Sequence, residues 1–119
     1  MNNWRRLVNS FRYACEGLTT VSRTEQNFRV HLLVAALVIG AGIYFHLRVW
    51  EWVVIIMFIL LVFLLEMLNT VFERLVDMLK PRVHLYVRDI KNITSSMVLI
   101  TAVSAVIIGI LIFGQYLFR

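Results

Sequence analysis

At 119 residues the chain has room for one domain, and 61% hydrophobic content with mean hydropathy +0.81 stands well above the about 45–50% of soluble proteins, the mark of an integral membrane protein. Its single cysteine, Cys15, excludes an internal disulfide, and the N-terminus lacks an apolar core with a small-residue cleavage site, which argues against a signal peptide. The net charge of +5 could point to nucleic acid, but the basic residues bracket apolar spans instead of forming one patch; that placement suits anionic lipid headgroups and argues against a nucleic-acid partner.

Residues 1–29 hold Arg5, Arg6, Arg12, Arg23 and Arg29 against Glu16 and Glu25, with Trp4, Leu7, Val8, Phe11, Ala14, Cys15 and Leu18 spaced mostly by three or four. That spacing predicts a basic amphipathic helix lying on the membrane surface. Gly17 and the Thr19-Thr20 pair predict a break ahead of a second short helical piece near Glu25.

Residues 30–47 contain no Asp, Glu, Lys or Arg, a length of about 18 that just suffices for a first span. His31 at its mouth reads as a snorkelling or capping residue rather than a metal ligand. The connection Arg48 to Glu51 is so short that the next helix must return antiparallel, and Trp50 with Trp52 belongs to an interfacial aromatic belt. A second span is expected over 52–68, its helix projecting to Leu79 and stopping before Pro81. A polar, basic stretch from Lys80 to Asn92 precedes a third span over 93–115, where Ser95, Ser96, Ala102, Ser104, Ala105 and Gly109 permit close helix packing. Lys and Arg concentrate in the N-terminal segment and again at Arg74, Lys80, Arg82, Arg88 and Lys91, whereas the first loop has Arg48 and the C-terminus Arg119. The positive-inside rule therefore puts the N-terminus and the 69–92 segment on the cytoplasmic side.

At the end of the second span the apolar run carries three acids and an amide. Glu66, Asn69, Glu73 and Asp77 fall within about 80° of one another on a helix, one stripe on one face. A carboxylate at the bilayer edge costs roughly 2–3 kcal/mol unless it meets a cation, a metal or water. The same side holds Glu25, Lys91, Arg6 and Arg12. Carboxylates holding Mg²⁺, which in turn holds phosphates, with a lysine on the terminal phosphate, is a minimum apparatus for phosphoryl transfer. Neither GxxxxGK[ST] nor GxGxxG occurs, so metal and side chains would have to hold a nucleotide. The structural alternative is that the acids pair with Arg29, Arg74 and Arg88. A cation pathway is a weaker reading, because the acids cluster at one interface.

The run Glu66-Met67-Leu68-Asn69-Thr70-Val71-Phe72-Glu73-Arg74-Leu75-Val76-Asp77 resembles the signature of the small prokaryotic diacylglycerol kinase family, and His84 and Lys91 match the histidine and lysine that follow it. Phe11 to Leu18, followed by Glu25-Gln26-Asn27-Phe28-Arg29-Val30-His31, is similar to the Gram-positive branch, many of whose members phosphorylate undecaprenol. The resemblance covers nearly the whole chain. It implies a lipid kinase of the bacterial plasma membrane that uses ATP and Mg²⁺ and assembles as a homotrimer with sites shared between subunits. By residue it implies Glu66 as general base, Glu25 and Glu73 as metal ligands, Lys91 on the γ-phosphate and Asn69 orienting the acids or the phosphate. Asp77 and Tyr13 would lie along the nucleotide, and Arg6 would steady lipid or nucleotide.

The chain departs from the family pattern at Asn92, where the family pairs its lysine with aspartate, and at Val71-Phe72, where the family has Ala-Ile. Asp89, one helical turn before Asn92, offers a displaced acid. The expected fold is an all-α membrane protein with an N-terminal surface helix and three transmembrane helices. Its expected function is phosphorylation of a membrane lipid alcohol, undecaprenol ahead of diacylglycerol; the alternative is a catalytically silent adaptor that binds lipid or nucleotide.

Overall fold

Long apolar runs joined by short polar connections produce four helices: α1 (Asn3–Thr24), α2 (Gln26–Phe45), α3 (Val49–Asp77) and α4 (His84–Leu117). The structure is a computed structural model that describes residues 3–79 and 84–118. Lys80, Pro81 and Arg82, which the sequence places in a polar linker, lie outside the described residues, as does the side chain of His84. Helices α2, α3 and α4 are each long and apolar enough to cross a membrane. With 29 residues, α3 extends about 43 Å, more than the roughly 30 Å of a hydrocarbon core, a length that tilt or projection beyond the core accommodates. Helix α4 begins at His84 rather than Ile93, so the polar residues before the third apolar run add turns to the same helix.

Helix α1 runs unbroken through Gly17 and the threonine pair, where the sequence predicts a break. A Cβ at Gly17 would meet nothing within 4 Å, so no packing contact bends the helix there. The hydroxyls of Thr19 and Thr20 each donate to the carbonyl four residues earlier at 2.9 Å, which satisfies them inside the helix. The break comes at Glu25, whose φ −113° and ψ 112° are extended. Arg29 Nη1 reaches back across it and donates to the carbonyls of Ser22 at 3.1 Å and Arg23 at 2.9 Å, satisfying exposed acceptors at the end of α1.

The turn between α2 and α3 is a Schellman corner. His46 adopts the left-handed region at φ 54°, with Leu47 N donating to Gly42 O at 3.2 Å and His46 N to Ile43 O at 3.3 Å. Glu51, expected in the connection, instead lies in the first turn of α3 and is fully buried. Its Oε1 accepts from Arg48 N at 2.9 Å and from the Tyr116 hydroxyl of α4, so the α2–α3 corner and the end of α4 are joined through one carboxylate.

Helix α3 is central, packed on α2 along one side and α4 along another. At the corner end Leu47, Ile55 and Ile112 form the core with Trp52, Phe113 and Tyr116 against it. At the opposite end Phe28 of α2 meets Phe63 of α3, ring centroids 5.2 Å apart. Between these contacts α2 and α4 leave an apolar cleft of about 580 Å³ over α3, with Val34, Val38, Ile59, Ala105 and Gly109 among its walls. Among the described residues His31 is the titratable side chain that lines it.

Candidate functional site

The stripe on α3 is graded. Glu66, the member nearest the centre of the helix, is 3% exposed; Asn69 and Glu73 are half-buried; Asp77 at the last turn is exposed. The gradient belongs to this face alone, because Val76, next to Asp77, is still buried on another side of the helix. Thr70, buried beside Glu66, donates its hydroxyl to the Glu66 carbonyl at 3.1 Å and so takes no part in holding the carboxylate.

Each remaining helix brings a group to α3 near the stripe. From α2, His31 Nε2 stands 3.5 Å from Glu66 Oε2. From the α1–α2 junction, Glu25 Oε1 stands 3.6 Å from Arg74 Nη2, the same nitrogen that donates to Thr24 Oγ1 at 2.8 Å. From α4, Lys91 Nζ meets Asp77 Oδ1 at 2.6 Å. Of the three arginines considered as partners for the acids, Arg74 does pair with one. Arg29 caps α1 instead.

Asn69 Nδ2 donates to Glu73 Oε1 at 3.3 Å, an i,i+4 contact along α3. That leaves Asn69 Oδ1 buried with no hydrogen-bond partner among the described residues. Such an oxygen costs about 1–3 kcal/mol until something meets it. An amide oxygen next to a carboxylate is a pair of hard donors of the kind Mg²⁺ takes, so the residues present fit the ion. Among the described residues no group of three or more His, Cys, Asp or Glu is assembled to hold a metal without help from a substrate.

Arg6 and Tyr13 stand exposed on α1. Arg12 lies 3.8 Å from Glu16 and 5.6 Å from the centre of the Tyr13 ring. Among the described residues no hydrogen bond or ion pair ties Arg6 or Tyr13 to the stripe. Asn92 and Asp89 are exposed on α4, flanking Lys91 in sequence. The contact that sequence reasoning missed is His31 with Glu66. Both are quoted in the family resemblance, yet they lie 35 positions apart, and nothing in their local patterns announces the meeting. The available signal was that a buried carboxylate near the end of a second span needs a donor from a neighbouring span, and His31 is the nitrogen-bearing side chain at the corresponding end of the first, His46 lying at the other.

Comparison with known proteins gives a family model described as prokaryotic diacylglycerol kinase that matches residues 12–113. The chain is 36% identical over 112 residues to the undecaprenol kinase of Bacillus subtilis, covering 94% of this chain and 91% of that protein. It is 35% identical over 112 residues to a diacylglycerol kinase of Synechocystis, covering 91% of this chain and 64% of that protein.

Proposed function

The chain belongs to the prokaryotic diacylglycerol kinase family and is a phosphotransferase acting on a lipid alcohol; we propose that it moves the γ-phosphate of ATP to undecaprenol in a Mg²⁺-dependent reaction. The preference for undecaprenol over diacylglycerol is supported by the near end-to-end match with the relative named for that activity, against 64% coverage of the relative named for the other. The observation that carries the mechanism is the buried Glu66 at the head of a polar stripe that becomes steadily more exposed.

In this mechanism the lipid hydroxyl meets Glu66, the one acid of the stripe deep enough to be reached by an alcohol whose chain stays in hydrocarbon. Its oxygen forms a bond to the γ-phosphorus while the bond from that phosphorus to the bridging oxygen of ADP breaks, and its proton passes to the Glu66 carboxylate. Lys91 faces the γ-phosphate; an ammonium has three donors, so it can keep Asp77 and still meet a phosphate oxygen. Glu73 and Glu25 would hold the metal, with the buried Asn69 amide oxygen next to Glu73 as a further donor. When bound, the metal would supply charge neutralisation for the phosphates. Asp77 and Tyr13 lie along the nucleotide, and Arg6 steadies lipid or nucleotide.

The same reading places α1 on the membrane surface, its arginines toward headgroups and Trp4, Leu7 and Phe11 toward acyl chains. The Lys and Arg distribution orients the N-terminus and the stripe to the cytoplasm of a bacterial plasma membrane. A homotrimer with sites shared between subunits belongs to the same reading: the exposed apolar face of α4 offers a surface for another copy, and among the described residues Tyr13 and Arg6 make no hydrogen bond or ion pair with the stripe of their own chain.

Purified protein in bilayers with labelled ATP and a panel of lipid alcohols tests the proposal. Undecaprenyl phosphate formed faster than phosphatidic acid, and only with Mg²⁺, is the expected result. Faster diacylglycerol turnover reverses the substrate order. Absence of any lipid phosphate with every alcohol, while lipid or nucleotide still binds, identifies a silent adaptor.

A further inference from the structure

A carboxylate used as a base has to present one oxygen to a hydroxyl at a fixed place, but its last side-chain torsion is broad and roughly two-fold. Burial alone does not stop that rotation. Glu66 makes its contact through Oε2, 3.5 Å from His31 Nε2, with the two side chains 4% and 24% exposed. The imidazole comes from α2 and the carboxylate from α3, so helix packing fixes their relation. His31 also lines the apolar cleft between α2 and α4, which puts it between the hydrocarbon-lined space and the acid. In either the Nε2-protonated neutral ring or the imidazolium, Nε2 carries a hydrogen to donate. The separation lies just outside hydrogen-bond range, as contacts of this kind do before substrate draws them in.

We propose that His31 is a positioning residue for the phosphoryl transfer: its Nε2–H holds Glu66 Oε2, which leaves Oε1 to take the proton of the lipid hydroxyl as the new oxygen–phosphorus bond forms and ADP departs. The inference rests on Glu66 as the base. The role belongs to the transition state rather than to binding, because proper placement of one oxygen changes proton transfer and leaves the lipid chain and nucleotide contacts as they are.

The test uses the full chain in bilayers with undecaprenol and Mg²⁺-ATP, and compares His31→Phe, His31→Gln, Glu66→Gln and the double variant His31→Phe with Glu66→Gln. His31→Phe is expected to lower kcat about ten- to a hundredfold with both KM values nearly unchanged. His31→Gln, whose amide can still donate to the carboxylate, is expected to recover most of that loss. In the Glu66→Gln background, loss of His31 is expected to cost nothing further, because the residue acts through the carboxylate. His31→Leu replaces His31→Phe if the larger ring prevents folding. Wild-type kcat in the apolar variants, a raised lipid KM with kcat intact, a His31→Gln no better than His31→Phe, or an undiminished loss in the Glu66→Gln background each overturns the positioning role. Wild-type turnover by Glu66→Gln overturns the base assignment instead, and is told apart because it appears with His31 intact.

Discussion

Glu73 is joined to Asn69 through one oxygen and stands beside the unsatisfied Asn69 Oδ1. Glu73→Gln preserves shape and removes charge, so it is expected to lower turnover at least about a hundredfold and weaken Mg²⁺-nucleotide binding while helix content stays the same. Turnover assays with a fluorescent nucleotide and circular dichroism check this; wild-type turnover removes Glu73 from the metal. Asn92 is a second informative position, because it flanks Lys91 where the family pattern has aspartate. Lys91 already has a carboxylate, Asp77, from the neighbouring helix. Asn92→Asp is expected to raise lipid kinase activity roughly tenfold or more if the added charge serves the lysine or the reacting hydroxyl. Unchanged activity together with damage from Asp89→Asn assigns that charge to Asp89; no effect of either shows that neither position serves catalysis.

At the level of elements, the site depends on α2 lying close enough to α3 for His31 to reach Glu66, and that approach is governed partly by the far end of the pair. A Cβ at Gly42 would stand 2.6 Å from Trp52 Cη2 and 3.0 Å from Leu47 Cδ1. Both are packed side chains of the corner, so neither yields freely. Gly42→Val is expected to cost about 1–3 kcal/mol through this crowding, and to lower kinase activity as α2 tilts off α3. Gly40→Ala is the control: a Cβ there would meet nothing within 4 Å, so helix propensity alone predicts a gain of about 0.5–1 kcal/mol. Thermal unfolding in detergent measures both, and equal stability of the two variants removes Gly42 as the close-packing point.

For the whole molecule, the proposed orientation, three spans with the N-terminus inside, requires the start of α4 to face the cytoplasm and its end the opposite side. In a background with Cys15 replaced, a cysteine at Leu85 is expected to react with an impermeant thiol reagent only from the cytoplasmic side, and a cysteine at Leu117 only from the other. Labelling of both from one side defeats the arrangement. The exposed apolar faces bear on the same scale. Leu99, Ile100, Val103, Val106 and Ile110 of α4 are exposed in the single chain; lipid can cover such faces, and so can another copy.

The sequence alone determined the three long apolar helices, because uncharged runs of about 18 residues or longer are accounted for by a span, and it determined the stripe, because residues on one helix face follow from a fixed rotation per residue. Glu66, Asn69, Glu73 and Asp77 could be placed together for that reason, all lying on α3. It could not tell that α1 continues past Gly17, since whether a glycine bends a helix depends on what packs against it. Nor could it tell that Glu51 is buried under Tyr116, that Arg29 caps α1 while Arg74 takes Glu25, or that His31 faces Glu66. Each of these joins residues on different helices or across a helix break. A sequence states which polar groups must find partners; the distances that select each partner exist only after the helices have packed.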